Sequence, residues 1–346
     1  MKKELLMGTA LVSTLGAATV AEAVTATMSG NHKVGMEFDS PANGTDTNAL
    51  TNDNNFTVSL SETTDGGMTI SSSFKVMDET SKYDGDAGFT LAFTDGSKLD
   101  LLNAGNASGS HAVSIPSSAG AEGVATTSVN TAQTGLDFAT AATNLGIEYH
   151  TAADFLADGL SMSFSASTDD GNAATATYRV DSHVAIGATY VTDLGDSSVT
   201  IGGGISQAEG SKTATAVTND TGGFHIGLSA VTGDLTVAVG FADGDVAGVN
   251  KSSTDEYTAD VTKLGVKYVS GDITFNVGFA SGDSTDNTIG STGGANDSKE
   301  VTSASISYAV ASGVTALLGY TSMEASNEGS PTDDGNAWYI GANMAF

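Results

Sequence analysis

Along most of this chain, apolar residues recur at every second position. In 235–241, Leu235, Val237, Val239 and Phe241 alternate with Thr236, Ala238 and Gly240. In 273–279, Ile273, Phe275, Val277 and Phe279 alternate with Thr274, Asn276 and Gly278. Successive side chains of a strand point to opposite faces, so each stretch has one apolar face and one small or polar face. Helical spacing fits neither stretch.

The strands come as repeated hairpins. Units beginning at His183, Phe224, Lys263 and Ser303 each read strand, short Gly-containing turn, strand, then a long segment of Asp, Asn, Gly, Ser and Thr. Their interval of about 40 residues indicates an array or a closed ring of hairpins. The alternation predicts about sixteen strands, near 24–38, 55–62, 68–77, 87–93, 97–102, 143–150, 160–167, 174–192, 198–207, 222–230, 235–241, 260–269, 273–280, 299–309, 314–322 and 336–346. Short turns, such as Thr64–Gly67, Thr94–Gly96, Val231–Asp234, Val269–Asp272 and Ala309–Gly313, alternate with long polar loops. That is the wiring of an antiparallel up-and-down transmembrane β-barrel. Lipid offers no partner to an edge strand's backbone groups, so a spanning sheet must close on itself. A soluble sandwich would need larger side chains on its second face, where this chain has Gly, Ser, Thr and Asn. One connection breaks the pattern: 103–142 shows no alternation, and long structureless connections are commonly functional.

The two ends fit the same picture. Lys2 and Lys3 precede a short apolar run that closes on Ala21-Glu22-Ala23, which predicts a secretory signal peptide over 1–23 and a barrel over 24–346. The last strand alternates Trp338, Ile340, Ala342, Met344 and Phe346 with Tyr339, Gly341 and Asn343. It must pair with the first strand to close the ring.

Composition narrows the chemistry. The chain has no cysteine, which excludes thiolate metal sites and cysteine nucleophiles. Its formal charge is −29 and its pI near 4.1, which argues against nucleic acid or an anionic surface as a partner. The five histidines show no metal-ligand spacing, and no nucleophile elbow or phosphate loop stands out. Glu148 and His150 share one strand face, a pairing that is common by chance. No enzyme is expected, and no cofactor; the acidic loops have the oxygen ligands for loose divalent-cation binding but no dedicated site.

Three stretches carry a family resemblance: "SETTDGGMTISSSFKVMDE" at 61–79, "GFTLAFTDGSKLDLLNAG" at 88–105, and the terminal strand ending on Phe346. Together they resemble the trimeric, sixteen-stranded general porins of alphaproteobacterial outer membranes, over the whole mature chain. The resemblance implies a Gram-negative outer-membrane location and a water-filled channel for small hydrophilic solutes and ions. It implies a homotrimer in outer-membrane lipid, and a third loop, here 103–142, folded into the pore to narrow it. It also implies that Trp338, Ile340, Met344 and Phe346 form the signal read by the outer-membrane insertion machinery.

In such a pore, acidic groups on the loop face basic groups on the wall. The candidates are Glu122, Asp137 and His111 on the loop. On the wall, parity places Lys33, Lys75, Lys98 and Arg179 inward, with Lys263 and Lys267. Arg179 is the sole arginine, so the transverse field is expected to be weak. Acidic residues such as Asp243, Asp260, Asp283, Glu300 and Glu324 are expected in surface loops, where they would favour cations modestly. The alternatives are a substrate-specific outer-membrane channel and a surface structural or adhesive β-protein.

Overall fold

A computed structural model describes residues 24–41, 45–77, 88–102, 106–117, 146–168, 179–212, 217–218, 221–245, 256–287, 296–326 and 334–346. They form one antiparallel sheet that closes on itself. The strands are β1 (Thr25–Pro41), β2 (Thr47–Thr63), β3 (Thr69–Met77), β4 (Phe89–Ala92), β5 (Lys98–Leu101), β6 (Gly146–His150), β7 (Leu160–Thr168), β8 (Arg179–Leu194) and β9 (Ser197–Lys212). Then follow β10 (Val217–Thr218), β11 (Thr221–Thr232), β12 (Leu235–Asp245), β13 (Glu256–Ser270), β14 (Ile273–Asn287), β15 (Asn296–Ala311), β16 (Val314–Ser326) and β17 (Gly335–Ala345). β10 is a two-residue ladder on the far end of β9, paired through Val217–Lys212 and Thr218–Ser211. The other sixteen make the barrel, each bonded to its sequence neighbour, and β1 pairs with β17 to shut the ring.

Alternation decides which face is which. On β12, Leu235, Val237, Val239 and Phe241 are exposed, whereas Ala238 is buried. On β14, Phe275, Val277 and Phe279 are exposed and Asn276 is buried. Apolar side chains therefore point outward to lipid, and small or polar ones point into the lumen, as a transmembrane barrel requires. No helix among the described residues is long and apolar enough to cross a membrane, which is no constraint on a barrel.

Gly67, Gly96, Gly159, Gly195, Gly233, Gly271 and Gly313, one in each of the seven connections at one end of the barrel, have positive φ. Four of them, after β8, β11, β13 and β15, are two-residue hairpins, whose twist matches the strands only with that left-handed backbone, which glycine adopts without a Cβ clash.

The strands run further than their apolar stretches. β2 begins at Thr47, not near residue 55, and β14 extends to Asn287, not near residue 280. Asp243, Asp260, Asp283, Glu300 and Glu324 thus lie on strand ends instead of in surface loops. The antiparallel ladder continues beyond the lipid, where polar residues extend it and hydropathy no longer marks it.

Candidate functional site: the lumen wall and the third connection

β5 is followed by Leu102, whose φ is 51° and whose N–H bonds to the Gly146 carbonyl 2.9 Å away. From there the chain turns into the barrel. Residues 106–117 run along the inner wall, with a single 3₁₀ turn at Gly109–His111.

Glycines on the wall make room for this segment. Gly187 and Gly204 face each other across β8 and β9, Gly202 and Gly227 across β9 and β11, Gly227 and Gly240 across β11 and β12, and Gly265 and Gly278 across β13 and β14. Each lies under the loop. A Cβ added at Gly204 would stand 2.5 Å from the Cα of Ser108, and one at Gly227 2.7 Å from the Cβ of Val113. At Gly265 it would stand 2.7 Å from the nitrogen of Pro116, and at Gly278 2.9 Å from the Cβ of Ser117. Real side chains do not tolerate such approaches, so glycine is the residue that lets backbone lie on backbone.

Polar groups fasten the start of the segment. The Ala107 N–H donates to Ser165 Oγ at 3.0 Å, and Ser110 Oγ donates to Glu148 Oε1 at 2.7 Å. His225 Nε2 lies 2.7 Å from the Ser108 carbonyl oxygen, which accepts its proton. His111 is buried: Nδ1 is 2.7 Å from Thr189 Oγ1 and Nε2 is 2.8 Å from Ser163 Oγ. Ser163 Oγ also lies 2.8 Å from His150 Nδ1, and His150 Nε2 is 2.9 Å from Asp100 Oδ2 and 3.6 Å from Glu148 Oε1. Asp100 in turn accepts from Thr90. Burial first, and then the nearby His150 and His225, hold the His111 imidazole below the usual histidine range, so it is neutral at pH 7.

Among the sequence-predicted residues, Lys33 faces the lumen and pairs with Asp53, Nζ to Oδ2 at 3.6 Å. Lys75 stands opposite Thr57 near the end of β3, and Lys98 opposite His150 at the start of β5. Arg179 opens β8 opposite Ser211, beyond a one-residue slip in pairing between Val180 and Ser182; its side chain lies outside the described residues. Glu122 and Asp137 also lie outside them. Lys33, Lys75 and Lys98 are spread over three strands and do not gather around His111. Trp338, Ile340 and Met344 are exposed on the outer face of β17. Phe346 continues the seam: its N–H donates to the Gly30 carbonyl at 3.0 Å and its carbonyl accepts from the Gly30 N–H at 3.1 Å.

Sequence reasoning missed the glycine track and the Asp100–His150–Ser163–His111 chain. The track had a signal, an inward-parity glycine on each of β8, β9, β11, β12, β13 and β14. The chain had only the Glu148/His150 pair, because Asp100, His111, Ser163 and Thr189 meet through the register of β5 to β8 and the entry of the loop alone.

Comparison with known proteins agrees with this architecture. The family model for Gram-negative porins matches residues 8–328. An anion-selective porin from Comamonas acidovorans superposes with a TM-score of 0.65 at 12% identity, covering 93% of this chain and 100% of that one. The outer-membrane channel DcaP of Acinetobacter baumannii gives 0.67 at 10% identity, covering 93% and 97%. The trimer form of OmpT, an outer-membrane protein of Vibrio cholerae, gives 0.63 at 15% identity, covering 94% and 100%. No curated protein sequence matches the chain. At these identities the structural likeness shows the fold, and the family model, spanning nearly the whole chain, shows the lineage. With a closed sixteen-stranded barrel, an apolar outer face and a connection laid along its inner wall, this chain belongs to the Gram-negative porin family of outer-membrane channels.

Proposed function

We propose that the channel passes small hydrophilic solutes and ions by passive diffusion, with a modest preference for cations. The observation that carries this reading is the wall itself. The inner faces present Ser, Thr, Asn and Gly, with Glu37, Asp39, Asp53, Asp100 and Glu148 among them, around a closed ring. Carboxylates also crowd the loop-side ends of β12–β16, and a negative mouth concentrates cations while repelling anions, more strongly at low salt. The test is the reversal potential of the reconstituted channel in a salt gradient. A cation-selective potential that shrinks as salt rises is expected, and an anion-selective one overturns the preference. The anion selectivity of the Comamonas porin belongs to that protein, since shared fold does not transfer selectivity.

The narrower likeness to alphaproteobacterial porins supports a homotrimer. On the outer face of β1 and β2, where lipid favours apolar groups, His32 hydrogen-bonds Asn54. Polar side chains on a lipid face are costly, and a subunit contact relieves that cost. The basic start at Lys2 and Lys3, the short apolar run and Ala21-Glu22-Ala23 support a cleaved export signal over 1–23, which N-terminal sequencing of the mature protein checks. The family likeness supports recognition of the outward residues Trp338, Ile340, Met344 and Phe346 by the insertion machinery.

A further inference from the structure

Five groups from the loop and four strands form one unbranched hydrogen-bonded chain: Thr189, His111, Ser163, His150 and Asp100. Each hydrogen in it is used once. With both histidines neutral, Thr189 Oγ1–H donates to His111 Nδ1, and His111 Nε2–H donates to Ser163 Oγ. Ser163 then donates to His150 Nδ1, and His150 Nε2–H donates to the Asp100 carboxylate.

One proton added to His150 reverses the chain without breaking it. His150 then donates at both nitrogens, to Asp100 and to Ser163. Ser163 turns its hydroxyl to His111 Nε2, and His111 Nδ1–H donates to Thr189. A second proton, on His111, uses both lone pairs of Ser163 and leaves the Ser163 hydrogen without a partner in the chain. Two imidazolium rings would then both donate to one hydroxyl oxygen, at 2.8 Å each, with like charges across a single atom.

We propose that the third connection is held to the lumen wall by this two-histidine latch, which grips while no more than one of its two rings is charged and releases when both are, so that acid frees 106–117 into the channel. The inference rests on the porin reading, since the latch matters only if the lumen conducts.

The other groups around His111 set the direction. β5 presents Asp100, with Lys98 beside His150 in register; β6 presents Glu148 and His150; β11 presents His225. β7, β8 and β9 present the hydroxyls of Ser163 and Thr189 and the glycines Gly187 and Gly202. Glu148 is occupied by Ser110 and Asp100 by His150, so neither carboxylate contacts His111. Burial and two neighbouring histidines keep the docked His111 neutral. Freed into water, it returns to the ordinary value of about 6.5. The docked state therefore binds fewer protons, and docking is complete above that value and is lost as pH falls below it.

The experiment records single channels of the full-length protein in planar bilayers at about pH 7.5 and about pH 5, values that bracket an ordinary histidine. It compares the natural chain with His111→Gln, whose amide still donates and accepts hydrogen bonds and does not titrate. Hydrogen exchange of 106–117 in the same preparations gives a second readout. The expected result is steady current at neutral pH for both proteins, and loss of mean current with flicker at acid pH for the natural chain alone. The protection of 106–117 is expected to fall about tenfold per pH unit below the histidine value, and to stay flat in His111→Gln. Steady natural-chain current at acid pH, or equal flicker in His111→Gln, overturns the latch. Absence of any channel at neutral pH overturns the porin reading instead. If His111→Gln does not assemble, the exchange profile of the natural chain decides alone.

Discussion

At Gly265 the lumen wall has no side chain because Pro116 occupies that space. A Cβ there would meet the Pro116 carbonyl oxygen, and would stand 2.7 Å from its nitrogen and 2.8 Å from its Cδ. Two of these three atoms are backbone, and a proline ring has little freedom to yield. Gly265→Ala therefore lifts the loop at this point instead of being absorbed by a rotamer change. Overpacking of this kind costs about 1–3 kcal/mol, here drawn from loop docking and not from the barrel ladder. The expected outcome is faster hydrogen exchange in 106–117 with unchanged exchange in β13 and β14. The control is Gly233→Ala in a short turn, where nothing lies within 4 Å but φ is +56°. That change strains the turn by about 1 kcal/mol and leaves the loop in place. Equal loop exchange in the two variants would mean that the glycine track is not what seats the loop.

At the scale of the element, register does what no single strand reveals. Asp243 of β12 lies directly opposite Asp260 of β13, which lies opposite Asp283 of β14. Glu300 of β15 lies opposite Glu324 of β16. All five share the outward parity of Phe241, Leu264 and Phe279, beyond the apolar band. Directly opposed like charges on a sheet destabilise it by up to about 1 kcal/mol per pair, and salt screens the effect. Asp260 belongs to two such pairs, so Asp260→Asn is expected to raise the denaturation midpoint at low salt. The gain should shrink as salt rises; a gain independent of salt would locate the effect in something other than charge. The alternation of single strands such as Leu235–Phe241 was legible in the sequence because lipid on one side and water on the other enforce period two. The outer reaches of β2 and β14 were not, because beyond the lipid both faces meet water and the period loses its cause. The Asp243–Asp260–Asp283 ladder and the His111 chain were hidden for another reason. Both depend on which residue stands opposite which, and one-residue slips such as that between Val180 and Ser182 defeat simple counting.

The barrel as a whole depends on one long-range closure, in which Asn31 meets Ala345 and Pro41 meets Gly335. Every other strand pair joins sequence neighbours, so β1 and β17 are the pair that turns a sheet with two edges into one with none. Phe346 fastens the C-terminal end of that seam twice. Its backbone exchanges both hydrogen bonds with Gly30, and its ring lies over Gly30 on the outer face, with its centroid 6.2 Å from that of Phe56. A Cβ at Gly30 would stand 2.8 Å from the Phe346 Cζ and would also meet the Asn55 carbonyl. The two residues thus separate two roles. Gly30→Val blocks the ring and crowds β2, so it is expected to lower the fraction of closed barrel when purified protein folds into lipid vesicles, read as heat-modifiable gel mobility. Phe346→Ser keeps the backbone pair and loses only the ring packing, so its deficit in vesicles should be the smaller of the two. In cells the order should reverse if the outward residues of β17 are also read by the insertion machinery, with Phe346→Ser assembling worse than Gly30→Val. The same ranking in vesicles and in cells would leave Phe346 with its seam role alone.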